Sequence, residues 1–136
     1  MSIPRYLVPV GLALLFASTA LAATTVFSGT PETGVVSSMQ DTKRVVLSSK
    51  DRTRYKCIIE KEGDDYYWVS RDRRLMAHTT SGPHHYFIAV DGAGFVKVMD
   101  TSALSSGTPI GFLYIEVLTL GLDSYSYWGQ GSSFRP

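Results

Sequence analysis

The gaps between the strand-like segments of this chain are too short for crossovers. A parallel pair of strands needs a connection of about a dozen residues or more, and from Arg52 to Met99 no gap is that long. Arg52, Arg54 and Lys56 alternate with Thr53, Tyr55, Cys57 and Ile59, the period of two that a strand presents. Gly63-Asp64-Asp65 reads as a turn, with glycine for positive φ and aspartate to bond its own backbone. Tyr66-Tyr67-Trp68-Val69-Ser70 is strongly β-prone. Arg71-Asp72 makes a tight turn, residues 73–79 return, and Ser81-Gly82-Pro83 breaks the chain again. Residues 84–90 form the next strand, Asp91-Gly92-Ala93-Gly94 is a hairpin signal, and Phe95 to Met99 close the run. These segments describe an antiparallel meander.

The segment after it changes character. Thr108-Pro109 has the form of a helix start, a capping hydroxyl followed by proline where no amide donor is needed. Ile110, Leu113, Tyr114, Val117 and Leu118 then fall on one helical stripe, with Gly121 as a C-terminal cap. The tail from Asp123 to Pro136 carries Tyr125, Tyr127, Trp128 and Phe134 and is expected to pack back on the sheet or to form an edge strand. Residues 23–41, rich in Thr, Ser and Gly, read as a flexible linker with at most one short strand, and residues 42–48 as a strand. The expected fold is mainly β, of the α+β kind: an antiparallel β-meander sheet or small barrel, spanning residues 42–136, with one C-terminal helix packed on it.

Turn lengths predict a pairing register. Trp68 is expected opposite Leu75, Leu75 opposite Ile88, and Tyr66 opposite Ala77. On the other face Tyr67 meets Met76, Met76 meets Phe87, and Phe87 meets Val98. Both faces are apolar, although a simple sheet over one core has a polar side. One face is assigned to the C-terminal helix. The other is covered by the N-terminal strands, by a second copy of the chain, or by a ligand.

The N-terminus has the composition of an export leader. Arg5 is its only charge, Leu7 to Leu15 are almost wholly apolar, and Ala20-Leu21-Ala22 supplies the A-x-A pattern of a signal-peptidase site. Residues 1–22 are therefore expected to be a signal peptide and the protein to be periplasmic or secreted. With Arg5 set aside, the 13 basic and 12 acidic residues balance, which argues against a dedicated nucleic-acid binder. Cys57 has no partner for an internal disulfide, and a small buried thiol is its expected state.

Four groups are candidates for chemistry. His78 and His85 become cross-strand neighbours if residues 80–83 form the loop, close enough to chelate zinc or copper. Two ligands do not make a metal site, so neither metal nor cofactor is expected. Lys43, Arg44, Lys50, Arg52, Arg54 and Lys56 could hold an anion, or be a solvated face paired with Glu60, Glu62, Asp64 and Asp65. Tyr66, Tyr67 and Trp68 could stack on a sugar or serve the core. No catalytic motif of the G-x-S-x-G, H-E-x-x-H or paired-cysteine kind occurs.

The function expected from these features is non-enzymatic: an exported binding or assembly protein using an apolar-aromatic sheet face around Tyr66, Trp68, Tyr86 and Phe95. Its partner is a protein, an apolar small molecule or a second copy of itself, and not a nucleic acid. One alternative is an accessory subunit held in the membrane by an uncleaved leader. Another is a small hydrolase or metal-dependent enzyme using His78 and His85.

Overall fold

Short turns leave successive strands no choice but to pair antiparallel. The computed structural model describes residues 20–103 and 111–136. The strands are β1 (Thr24–Ser37), β2 (Thr42–Val45), β3 (Cys57–Glu62), β4 (Asp65–Trp68), β5 (Arg74–Ser81), β6 (His84–Ala89), β7 (Gly94–Asp100), β8 (Phe112–Leu120) and β9 (Asp123–Phe134). One short helix, α1 (Ser49–Arg54), precedes β3. Neighbours are antiparallel throughout, and β9 returns to pair with β1. Eight strands thus close a barrel, while β2 extends the far end of β1.

Local chemistry accounts for the turns. At the β6–β7 hairpin Gly92 adopts φ +78 and the Asp91 carboxylate accepts the Ala93 N–H at 3.0 Å. Closure depends on a close approach at the β1–β9 seam. A Cβ on Gly129 would lie 2.1 Å from the Thr30 carbonyl oxygen, so only glycine lets these backbones meet.

The interior is filled with side chains, as a barrel of about eight strands just permits. Phe27, Ile59, Trp68, Phe87, Val96 and Val98 are fully enclosed, with Cys57 beside them. Glu116 is the one charged side chain fully enclosed with them among the described residues.

Several expectations need correction. Residues 24–37 are not a linker: they form β1, the strand that closes the barrel against β3 and β9. Residues 52–54 are helical, not extended. Ser48 and Asp51 form a reciprocal capping box, each side chain bonding the other's backbone N–H at 3.2 Å, and this local signal overrides the charge alternation. Beyond it the expected parity holds, and Cys57 and Ile59 point inward.

Among the described residues the expected C-terminal helix is absent. Phe112–Leu120 is β8, pairing with β7 and β9 over its length. Its apolar run reads as a helical stripe because both faces of the strand are apolar, with Tyr114 and Leu118 inward and Leu113, Ile115 and Val117 outward. Its β-branched residues suit the strand. Gly121 sits in the β8–β9 turn with φ +62. Thr108, Pro109 and Ile110 lie outside the described residues, as does the leader up to residue 19.

The register also differs. The β4–β5 connection is longer than a tight turn at Arg71-Asp72, running from Val69 to Arg73 with Asp72 and Arg73 at φ 56 and 53. Tyr66 therefore faces Met76, and Trp68 faces Arg74. That one-residue slip puts Tyr66 and Trp68 on the face of Met76 and Phe87 instead of Leu75 and Ile88. Further on Met76 faces Ala89, and Phe87 faces Val96, shifts that preserve the faces.

Candidate functional site

Three regions carry chemistry: a polar cluster inside the barrel, an aromatic mouth at one end, and the outer wall.

Inside, β8 carries Glu116 into the core with no exposure. Its carboxylate accepts the Trp68 Nε1–H at 3.0 Å and an Arg71 Nη2–H at 2.9 Å. Arg71 also donates to the carbonyls of Ser70 and Tyr55, at 2.8 and 3.4 Å. Desolvation pushes the Glu116 carboxyl from 4.5 up to about 7, against the opposing pull of Arg71 and the hydrogen bonds from Arg71 and Trp68. Burial, then the Glu116 charge, raises the Cys57 thiol well above its ordinary range, so Cys57 is a poor nucleophile. Tyr114 crosses the interior edge-on to Phe27 at 5.3 Å, and its hydroxyl has no hydrogen-bond partner among the described residues. The cluster fastens β4, its following loop and β8 together.

The mouth gathers His78, His85, Tyr66, Phe87 and Phe134. His78 pairs with Phe87, and His85 with Thr80, so the histidines are diagonal neighbours. His78 Nε2 and His85 Nδ1 stand 3.1 Å apart. The rings are 5° from parallel with centroids 5.4 Å apart. That separation exceeds the nitrogen–nitrogen distance by about two ring radii, so the rings lie edge to edge in one plane, sharing a proton along a nearly straight line. They do not stack on each other. Both nitrogens are spent in this bond, and an ion on the line between them would sit closer than the ~2.0 Å a zinc–imidazole bond needs. Among the described residues no group of three or more His, Cys, Asp or Glu surrounds a metal-sized point. His78 stacks on Phe87 at 4.5 Å, and Phe134 meets His85 edge-on at 4.5 Å.

Desolvation lowers both histidines below their ordinary value. The His85 charge and Lys61 reinforce it at His78, while Asp100 opposes it at His85. The folded state therefore binds fewer protons here than the unfolded chain, and this contribution to stability is lost as pH falls from about 6.5 through the lowered values. The double substitution His78→Asn, His85→Asn is expected to raise Tm at about pH 5 relative to about pH 7, compared with the same difference in the wild type. A Tm difference between the two pH values that is the same in variant and wild type would show that the pair does not titrate with unfolding.

The outer wall is asymmetric. Charges crowd one side, on β2, α1, β3 and the start of β4: Lys43, Arg44, Arg52, Arg54, Glu60, Glu62 and Asp65. Among outward-facing positions of the five consecutive strands β5 to β9, Lys97 is the single charged side chain. Around it lie Leu75, Ile88, Phe95, Ile115, Val117 and Trp128. Ile88 is 46 % and Ile115 45 % exposed. Near the β8–β9 ladder the wall hollows into a groove of about 420 Å³, floored by Met99, Leu113, Ile115 and Trp128 and edged by His84, Lys97 and Glu32.

The four aromatic residues expected to share one face are divided. Trp68 is buried in the core and Tyr66 lines the mouth, whereas Tyr86 and Phe95 lie on the outer wall. Lys97 stands over the Tyr86 ring at 5.5 Å. Glu116, Arg71, Trp128 and the groove are not among the candidate sites that the sequence offers. With the Phe112–Leu120 segment read as a strand, its parity would have put Glu116 inward beside Tyr114 and Leu118.

No family model, curated protein or solved structure matches the chain.

Proposed function

We propose that this is an exported, non-catalytic binding or assembly protein that presents the outer wall of β5 to β9 to an apolar partner. One observation carries the reading: at their outward-facing positions five adjacent strands hold a single charged side chain, Lys97, among Leu75, Ile88, Phe95, Ile115, Val117 and Trp128. Four inter-strand spacings and three outward rows make a patch roughly 20 Å by 14 Å. Its area, on the order of a few hundred Å², is that of the largest apolar patch on an ordinary monomer, which is often functional, and Thr79, Ser81, Ser126 and Gln130 border it on β5 and β9. The filled interior supports a surface role over a lumenal one. Export is supported by Arg5, the apolar run from Leu7 and the Ala20-Leu21-Ala22 pattern.

The test is an apolar dye on the folded protein. Anilinonaphthalene sulfonate is expected to bind the wild type, and Ile115→Lys and Phe95→Lys are expected to reduce its fluorescence severalfold with Tm nearly unchanged. The measurement is made at a concentration where the protein is monomeric; a folded monomer that binds no dye would remove the basis for the proposal, and so would lysine variants that unfold.

A further inference from the structure

We infer that the wall takes a second copy of this chain, related by a two-fold axis that runs parallel to the strands between β8 and β9. The inference rests on the wall being a docking surface, and it names the occupant.

In a two-fold interface each residue faces the one that lies as far on the other side of the axis, so the surface must complement its own reflection. A two-fold axis along β7, the middle of the apolar wall, would set Lys97 against its own copy. Moving the axis to the β8–β9 boundary removes that repulsion. The strands then face each other as β8 against β9 and β7 against β1. Ile115 and Trp128, which are register partners, flank the axis and meet across it. Lys97 on β7 comes opposite Glu32 on β1, which edge the same groove with opposite charge. The two lie symmetrically about the axis, each about one and a half strand spacings, or ~7 Å, away from it. Glu32 sits where the β1–β9 register shifts between Pro31 and Thr33, a bulge that aims a side chain out of the ladder. It is exposed. Phe95 comes opposite Val35, extending apolar contact beyond the charge pair. The groove supplies one cation and one carboxylate, the minimum that an isologous contact needs to satisfy both copies.

Sedimentation equilibrium of the full chain, over the micromolar to millimolar range, tests this. The wild type is expected to dimerise. Lys97→Glu and Glu32→Lys should each weaken dimerisation on the order of tenfold or more, because like charges then face each other twice. The double reversal Lys97→Glu, Glu32→Lys should restore it to within a few-fold of wild type, which loss of folding could not mimic. A wild type that stays monomeric throughout overturns the second-copy inference. Dye binding by that monomer would leave the docking wall standing for another partner, and its absence would remove both. A dimer indifferent to both single reversals overturns the proposed axis and charge pair.

Discussion

Trp68→Ala is expected to leave the protein largely unfolded at physiological temperature. Trp68 is fully enclosed and is the largest of the enclosed side chains. Truncating such a residue costs about 3–5 kcal/mol, because transfer energy is lost and a cavity remains. Here a second loss adds to it, since Glu116 gives up the Trp68 Nε1–H while still inside the barrel. An unsatisfied buried acceptor costs a further ~1–3 kcal/mol. The sum is comparable to the whole stability of an ordinary domain, about 5–15 kcal/mol. Trp68→Phe weights the two losses differently: it gives up the donor in full but keeps one of the two buried rings, so the cavity is smaller. Denaturant unfolding should place it between wild type and Trp68→Ala. A folded Trp68→Ala protein with near-native stability would mean that Trp68 does not pack the core as described.

The second large effect is a dependence on pH that runs opposite to the usual carboxylate case. Glu116 titrates near 4.5 in the unfolded chain and at about 7 when folded. The folded state therefore holds a proton that the unfolded state has released. Its contribution is fully present below about 4.5 and is lost as pH rises through about 7. The interval corresponds to on the order of 3 kcal/mol. Glu116→Gln keeps an acceptor for Trp68 and cannot ionise, so it should flatten the stability profile across that window. Arg71→Met should behave in the opposite way. It strips the counter-ion from a buried carboxylate, costing about 3–5 kcal/mol where Glu116 is charged and much less where it is neutral. Urea unfolding at several pH values gives all three profiles, and wild-type and Glu116→Gln curves that run parallel would refute the assignment. The histidine pair works against Glu116 in part of this range, so differences between variant and wild type are the quantities to compare.

Both effects converge on residues that the sequence conceals to different degrees. Trp68 stands out as part of an aromatic run, but its face depends on the β4–β5 connection. Two residues of positive φ, Asp72 and Arg73, lengthen that connection, and neither is a glycine that would announce it. Glu116 is hidden by a different cause. A strand buried on its inner face and apolar on its outer face shows no alternation, so its hydrophobic run is compatible with helix or strand until a neighbour selects one. β7 and β9 make that selection by offering ladder partners on both sides of β8. His78 and His85 were legible as a pair, but their coplanar hydrogen bond follows from a diagonal register set by the two-residue turn at Gly82-Pro83.

By itself, the sequence determined what short-range chemistry can specify. Tight turns made the meander antiparallel, the Asp91–Gly94 hairpin followed from its turn residues, and parity carried Cys57 and Ile59 inward. These features depend on φ preferences and side chains a few residues apart, and they are readable without knowing what lies across the sheet. The tertiary structure alone decided the closed ring. β1 pairs with β9 through residues about a hundred positions apart, Ser28 with Ser133 among them. Nothing in residues 24–37 taken alone distinguishes a closing strand from a polar linker, because their Ser, Thr and Gly become strand-like only when a partner edge is present to take their hydrogen bonds.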